Sequence, residues 1–323
     1  MRYHFRMVLS LQRDGFVRGL RISWLVTLAC LCGAASAHAA DKPAGLTHPR
    51  SLAQIKKTLA TILSPENTQG DEKSQALQRL KAYRFLAEVP YQDLTLDEDY
   101  NKMCLAGARL CEKLGKLEHK PNNPGMPEDE FKLAYAGTSR SNLGMGLPTL
   151  VSAVDAWMFD SDSANVALLG HRRWCLNPAM RKTGFAHVGA VTAMYSFDQS
   201  RGRVPDFDFI CYPARGFMPI EFFESKCAWS VVLNPLKYKT PGKDFNQKIY
   251  QADALGKKQG TPLTLDFKKV DTTPFAIPNC IIFRPEELQV APGRAYVVEL
   301  EGIRRQSGGT ITLQYVVEFA HVR

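Results

Sequence analysis

Apolar residues recur at helical spacing through the first half of the chain and alternate with polar ones from residue 224 on. Leu52, Ile55, Leu59, Ile62 and Leu63 share one helical face, and Ser51 stands where a cap is needed. Ser64-Pro65 through Gly70 break that helix. A second one runs from about Asp71 with Ala76, Leu77, Leu80 and Tyr83 apolar, and ends before Pro90. The longest stripe is Leu96, Tyr100, Met103, Cys104, Gly107, Leu110, Cys111 and Leu114, closed by Gly115 as a C-cap. Residues 121–130 are polar and Pro-rich and read as a loop. Leu150, Val151, Val154, Trp157 and Met158 form the buried face of another helix, with Pro148 at its first position. A short turn then presents His171, and Pro178 stops it. The small apolar run from Val188 to Phe197 reads as a central strand, and residues 206–222 as a hinge.

Beyond that hinge the period becomes two. Trp229, Val231 and Leu233 alternate, as do Leu263, Leu265 and Phe267, and then Ile311, Leu313, Tyr315, Val317 and Phe319. Cys280-Ile-Ile-Phe and Ala295-Tyr-Val-Val-Glu-Leu are further strands, and Gly308-Gly309 is a turn. This density of short strands predicts an immunoglobulin- or fibronectin-like sandwich.

Composition changes the picture at the N-terminus. Residues 1–40 carry Arg2, Arg6, Arg13, Arg18 and Arg21, then an apolar run from Trp24 to Ala37, then Ala37-His38-Ala39. That is the layout of a secretory signal peptide, with a retained anchor as the alternative. The leader holds five of the 41 basic and one of the 32 acidic residues, which leaves 36 against 31 and lowers the net charge from +9 to +5. The remaining excess is scattered in pairs, so nucleic-acid binding is disfavoured. Six of the eight cysteines lie beyond the leader. Cys104 and Cys111 stand seven apart on one helix, about 10 Å along its axis at 1.5 Å per residue. A disulfide needs Cα atoms within about 7 Å, so these two read as buried thiols.

Two stretches carry a resemblance. Ala153-Val-Asp-Ala-Trp-Met-Phe-Asp-Ser161 is followed by Gly170-His-Arg-Arg-Trp-Cys-Leu-Asn-Pro178 and then Gly184-Phe-Ala. They resemble the bacterial pattern A-V-x-x-W-[ML]-x-S-x-x-H-R-x-x-[IL]-L-x-P…G-x-[GA] of the CAP superfamily (cysteine-rich secretory, antigen 5 and pathogenesis-related 1 proteins). Leu80 to Tyr100 looks like that family's opening helix and loop. Gly137-Thr-Ser-Arg-Ser141-Asn142-Leu143 lies where its G-E-N-L motif falls, with Ser141 in the glutamate's place. The resemblance implies an α+β protein: a CAP-type α-β-α sandwich followed by the all-β sandwich. The expected division is 1–40 signal peptide, 41–70 lead-in and helix, 71–200 CAP domain, 201–223 linker and 224–323 sandwich.

The resemblance also marks a cleft. His119 stands where the family places its first site histidine, and His171 is the second. In some members such histidines, with two acidic residues, hold zinc or another divalent cation, since neutral imidazole is a good zinc ligand and a carboxylate orients the ring. Here Ser141 stands in the place of the first acid, and the second could be Asp160 or Asp162, or Glu128 or Glu130 from the loop. Three roles stay open for His119 and His171: bracing the cleft walls through hydrogen bonds to backbone, a metal site, or a catalytic pair. Ser141, Asn142 and Arg172 complete the expected binding residues, Arg172 toward an anion or else as salt-bridged surface. No G-x-S-x-G, H-E-x-x-H or CxxC is present, so no catalytic residue is named. Cys175, four residues past His171, reads as a buried or bridged thiol before a thiol–imidazole pair. The expectation is an exported binding module for a lipid, cell-wall or protein ligand, not an integral membrane protein once the leader is gone. A divalent-metal-dependent, peptidase-like hydrolase is the alternative.

Overall fold

The structure is a computed structural model describing residues 48–253 and 255–322. Residues 1–40, expected to be a signal peptide, lie outside the described residues. Helix α1 (Leu52–Ile62) starts on a capping box in which Ser51 accepts from the Gln54 amide, while the Gln54 side chain accepts from the Ser51 amide. A short α2 (Pro65–Thr68) follows, then α3 (Glu72–Leu86), capped by Asp71. Strand β1 (Thr95–Leu96) leads into α4 (Glu98–Leu114), which ends at Gly115 in the left-handed conformation, φ 65°. Helix α5 (Glu128–Ser139) takes in the end of the segment read as a loop. After β2 (Ser141–Met145), α6 (Leu150–Phe159) begins on a Thr149 cap, so Pro148 precedes the helix rather than opening it. Then come α7 (Gly170–Cys175), β3 (Lys182–Thr183), β4 (Phe185–Val188) and β5 (Val191–Tyr195).

Strands β2, β5 and β4 form a three-stranded antiparallel sheet. Alternation divides its faces. Leu143, Ala186, Val191, Ala193 and Tyr195 pack with Cys104, Ala108 and Cys111 of α4. Phe185 and Met194 belong to the core shared with α3 and α6. Helices therefore cover both faces. Helix α5 lies on α4 at backbone distance: a Cβ on Gly137 would sit 1.9 Å from the Met103 carbonyl oxygen, and one on Gly107 2.7 Å from the Gly137 carbonyl carbon. Only glycine permits this approach, and it sets the position of Thr138.

The segment 201–223, expected as a linker, contains β6 (Phe209–Tyr212), β7 (Gly216–Pro219) and a 3-10 turn over Ile220–Phe222. Its aromatics Tyr212, Phe222 and Phe223 are core residues, so the prolines and glycines mark a corner between strands rather than an open hinge. The remaining strands are β8 (Trp229–Leu233), β9 (Asn246–Ala252), β10 (Lys258–Gln259), β11 (Leu265–Asp271), β12 (Cys280–Pro285), β13 (Ala295–Arg304) and β14 (Thr310–Ala320). They form sheets in the orders β11-β12-β8-β6 and β10-β9-β13-β14-β7. Trp229 meets Tyr296 and Phe319 of the opposite sheet with ring centroids 6.1 and 6.5 Å apart, so the sheets face each other. One continuous buried cluster runs from Ile55 in the helical lobe to Phe319 in the sandwich.

All six cysteines among the described residues are buried and unpaired, as the Cys104–Cys111 spacing predicts for that pair. Among the described residues no helix is long and apolar enough to cross a membrane.

Candidate functional site

Helix α6 stops at Asp160, which takes the left-handed conformation (φ 47°) and turns its carboxylate back beneath α7. The side chain is almost wholly buried. One oxygen accepts from the backbone N–H of His171 at 3.1 Å and of Arg172 at 3.4 Å, and the other lies 2.9 Å from His171 Nδ1. A carboxylate oxygen accepts, so Nδ1 carries a proton, and in the neutral imidazole Nε2 is left with its lone pair. His119 reaches the same state by another route. Its Nδ1 lies 2.8 Å from the Thr138 carbonyl, which also only accepts, while the Thr138 hydroxyl donates to the His119 carbonyl at 3.3 Å. Thr138 is held by the Gly107–Gly137 contact between α4 and α5.

Both histidines line one cleft of about 320 Å³, together with Ser139, Ser141, Asn142, Asn165, Leu168, Gly170, Trp174, Phe197 and Phe275. Trp174 and Phe197 stack at 4.1 Å and form an aromatic wall. Asn165 is fixed by Asp162, whose carboxylate accepts from its side-chain amide at 2.9 Å and from two backbone amides of the loop. Burial pushes the Asp162 carboxyl up, and these hydrogen bonds outweigh it and hold the group below the usual carboxylate value.

The expected residues separate clearly. His119, Ser141, Asn142 and His171 come together on this cleft. Ser141 is nearly buried, with its hydroxyl 3.6 Å from the Cys104 thiol, and Asn142 stitches β2 to α7 by donating to the His171 carbonyl at 3.0 Å. Arg172 does not face the cleft. It is 1% exposed and donates to the carbonyls of Met158, Phe159 and Ala228 and to the Ser230 hydroxyl, because α7 turns it into the seam between helical lobe and sandwich. It is therefore neither an anion hook nor surface. Asp160 serves as the partner of His171 Nδ1. Cys175 is buried beside Asn142, and burial pushes its thiol far up, so it supplies no thiolate to His171.

A family model described as the cysteine-rich secretory protein family, CAP, matches residues 77–195. This stretch of the chain is a CAP domain. Comparison with curated proteins and with solved structures gives no match. The matched CAP segment contains both histidines, Asp160 and most of the cleft wall, and ends two residues short of Phe197. Phe275 comes from the sandwich, on the turn between β11 and β12. Periodicity gave no sign of it: it is a lone aromatic between Pro274 and Pro278. Among the described residues no group of three His, Cys, Asp or Glu is placed to hold a metal.

Proposed function

We propose that this is an exported CAP-domain protein that acts as an extracellular binding module through the His119/His171 cleft. The observation that carries the reading is the cleft itself: a concave, aromatic-walled site with two imidazoles fixed from behind, each with one ring nitrogen free. In this reading the leader is removed, and the chain divides into a CAP domain and an immunoglobulin-type sandwich. Supporting the latter, β6-β8-β12-β11 opposes β7-β14-β13-β9-β10, with the opening strand divided between the two sheets.

The residues fit a divalent cation only in part. His119 and His171 have the orientation of metal ligands, since a carbonyl and a carboxylate hold their Nδ1 protons. A zinc site takes three or four ligands, and no acidic side chain lines the cleft to supply a third. The Asp160–His171 dyad is the one observation that favours the hydrolase, because a carboxylate-oriented imidazole is the form of a general base.

The test is a thermal-shift screen of lipids, cell-wall glycans and peptides against wild type, His119→Ala and His171→Ala. A ligand that stabilises wild type and loses its effect in both variants is the expected result. Ligands that stabilise all three proteins equally would refute use of this cleft. Calorimetric titration of zinc and calcium on the same proteins decides the alternative: no binding to folded wild type removes the metal-dependent hydrolase.

A further inference from the structure

We infer that the cleft is a site for a neutral saccharide, and that the sandwich completes it by supplying Phe275 as an aromatic wall. This rests on the cleft reading above. The turn over residues 272–279 is clamped onto the helical lobe by Arg173. That guanidinium donates to the Asp271 carboxylate at 2.6 Å, to the Thr273 carbonyl and to the Ile277 carbonyl at 2.7 Å, and lies 5.2 Å from the Phe275 ring centre. Within the turn, Phe275 N–H donates to Thr273 and Ile277 N–H to Phe275, and Ala276 is left at φ 56°. A non-glycine residue in that conformation is held there by its surroundings. The Phe275 ring packs over Gly170, where even an added Cβ would lie 3.8 Å from it.

The ligand class follows from the polar atoms that remain free. His119 and His171 each offer an Nε2 lone pair. Asn165 gives one side-chain N–H to Asp162 and keeps its oxygen and its second N–H, and Ser139 spends its proton on the Tyr135 carbonyl. Acceptors predominate among them, so the ligand must bring donors, while the remaining Asn165 N–H can take an oxygen lone pair. No Asp, Glu, Lys or Arg lines the cleft, which leaves an ammonium or an acid without a counter-charge. A plain alkyl chain would bury those acceptors unpaired. A sugar ring has the required combination: hydroxyl donors on its edge and C–H faces to lay on Trp174, Phe197 and Phe275. A volume of about 320 Å³ is at the small end for ligand sites and suits a ring or two of a longer glycan.

The test is titration of the full protein with the neutral tetrasaccharides of N-acetylglucosamine, glucose (β1-4) and glucose (α1-4), with octanol as apolar probe. Tryptophan fluorescence is the readout, because Trp174 borders the cleft while Trp157 and Trp229 are core residues. We expect saturable binding of at least one tetrasaccharide, weakened about tenfold or more in Phe275→Ala and retained in Phe275→Trp, with unchanged near-UV dichroism in both variants. No tetrasaccharide binding, or binding unaffected by Phe275→Ala, overturns the inference. Octanol binding that depends on His119 and Phe275, without any sugar binding, overturns the saccharide class and leaves the cleft reading standing. Sugar binding indifferent to His119→Ala, His171→Ala and Phe275→Ala overturns both.

Discussion

Replacing Arg173 by Met tests whether one buried ion pair joins the sandwich to the helical lobe. Arg173 and Asp271 are 2.6 Å apart with side chains 2% and 5% exposed. Methionine retains the volume and removes the guanidinium, so the Asp271 charge stays buried without its main partner. Breaking such a pair from one side costs about 3–5 kcal/mol. Asp271 keeps the Thr273 amide and hydroxyl at 3.2 Å and Lys269 at 3.3 Å, which places the loss toward the lower end. Burial pushes the Asp271 carboxyl up. The Arg173 hydrogen bond and charge, with Lys269, outweigh it and hold the group below its usual value. A depressed carboxyl stabilises the fold above its unfolded value, about 3.9, and that contribution is lost as pH falls through the lower folded value. The unfolded carboxyl is common to both proteins, so the gap between wild type and Arg173→Met is full at pH 7 and narrows as pH falls first through the variant's higher folded value and then toward wild type's lower one. Urea unfolding followed by tryptophan fluorescence across this range measures it, and the cycle with Asp271→Asn isolates the pair. A loss under about 1 kcal/mol at pH 7, or a gap that does not move with pH, would refute the argument.

Three further outcomes follow. Gly137→Ala forces a Cβ to within 1.9 Å of the Met103 carbonyl oxygen, so α5 must lift from α4; thermal unfolding should show a loss of about 1–3 kcal/mol, and ligand binding at His119 should weaken with it. Asp160→Asn leaves one acceptor oxygen for the His171 ring and the two α7 amides; it should lose ligand as His171→Ala does while costing about 1–3 kcal/mol in chemical denaturation. The six buried thiols should ignore a thiol reagent at pH 8 in the folded protein and all react in guanidinium, because burial pushes Cys104 and Cys211 up to about 12 and Cys227 and Cys280 up to about 11.

Elements whose patterns are local were legible before the structure. The stripe from Tyr100 to Leu114 became α4, Ser51 and Gly115 became caps, and the alternation at Tyr315, Val317 and Phe319 became buried positions of β14. What escaped depends on partners far along the chain. Strand β9 carries Asn246-Gln-Lys-Ile-Tyr-Gln-Ala, of which only Ile249 is buried, so its place in the sheet comes from pairing with β13 and not from an apolar run. Strand β7 pairs in parallel with β14, about a hundred residues away, and nothing in Gly216-Phe-Met-Pro announces it. The same holds for the site. Motif spacing brought His119, His171, Ser141 and Asn142 to one cleft, whereas Phe275 arrives only through the fold of the second lobe.

Arg172 and Arg173 show why adjacent residues of one type cannot be assigned one role from sequence. On the short helix α7 they diverge. Arg172 turns into the seam, over the Tyr212 ring, where its side chain donates to neutral oxygens: the carbonyls that end α6, the Ala228 carbonyl and the Ser230 hydroxyl. Arg173 reaches the sandwich's one buried acid on that turn, Asp271. A guanidinium suits both tasks because its donors lie in a fixed plane and it cannot shed its charge near neutral pH. Lysine at either position would offer a single nitrogen to acceptors spread around the whole fork. Asp160 links the two functions, since the carboxylate that orients the His171 ring also accepts the Arg172 backbone amide. The histidine facing the cleft and the arginine joining the lobes thus hang from one buried side chain.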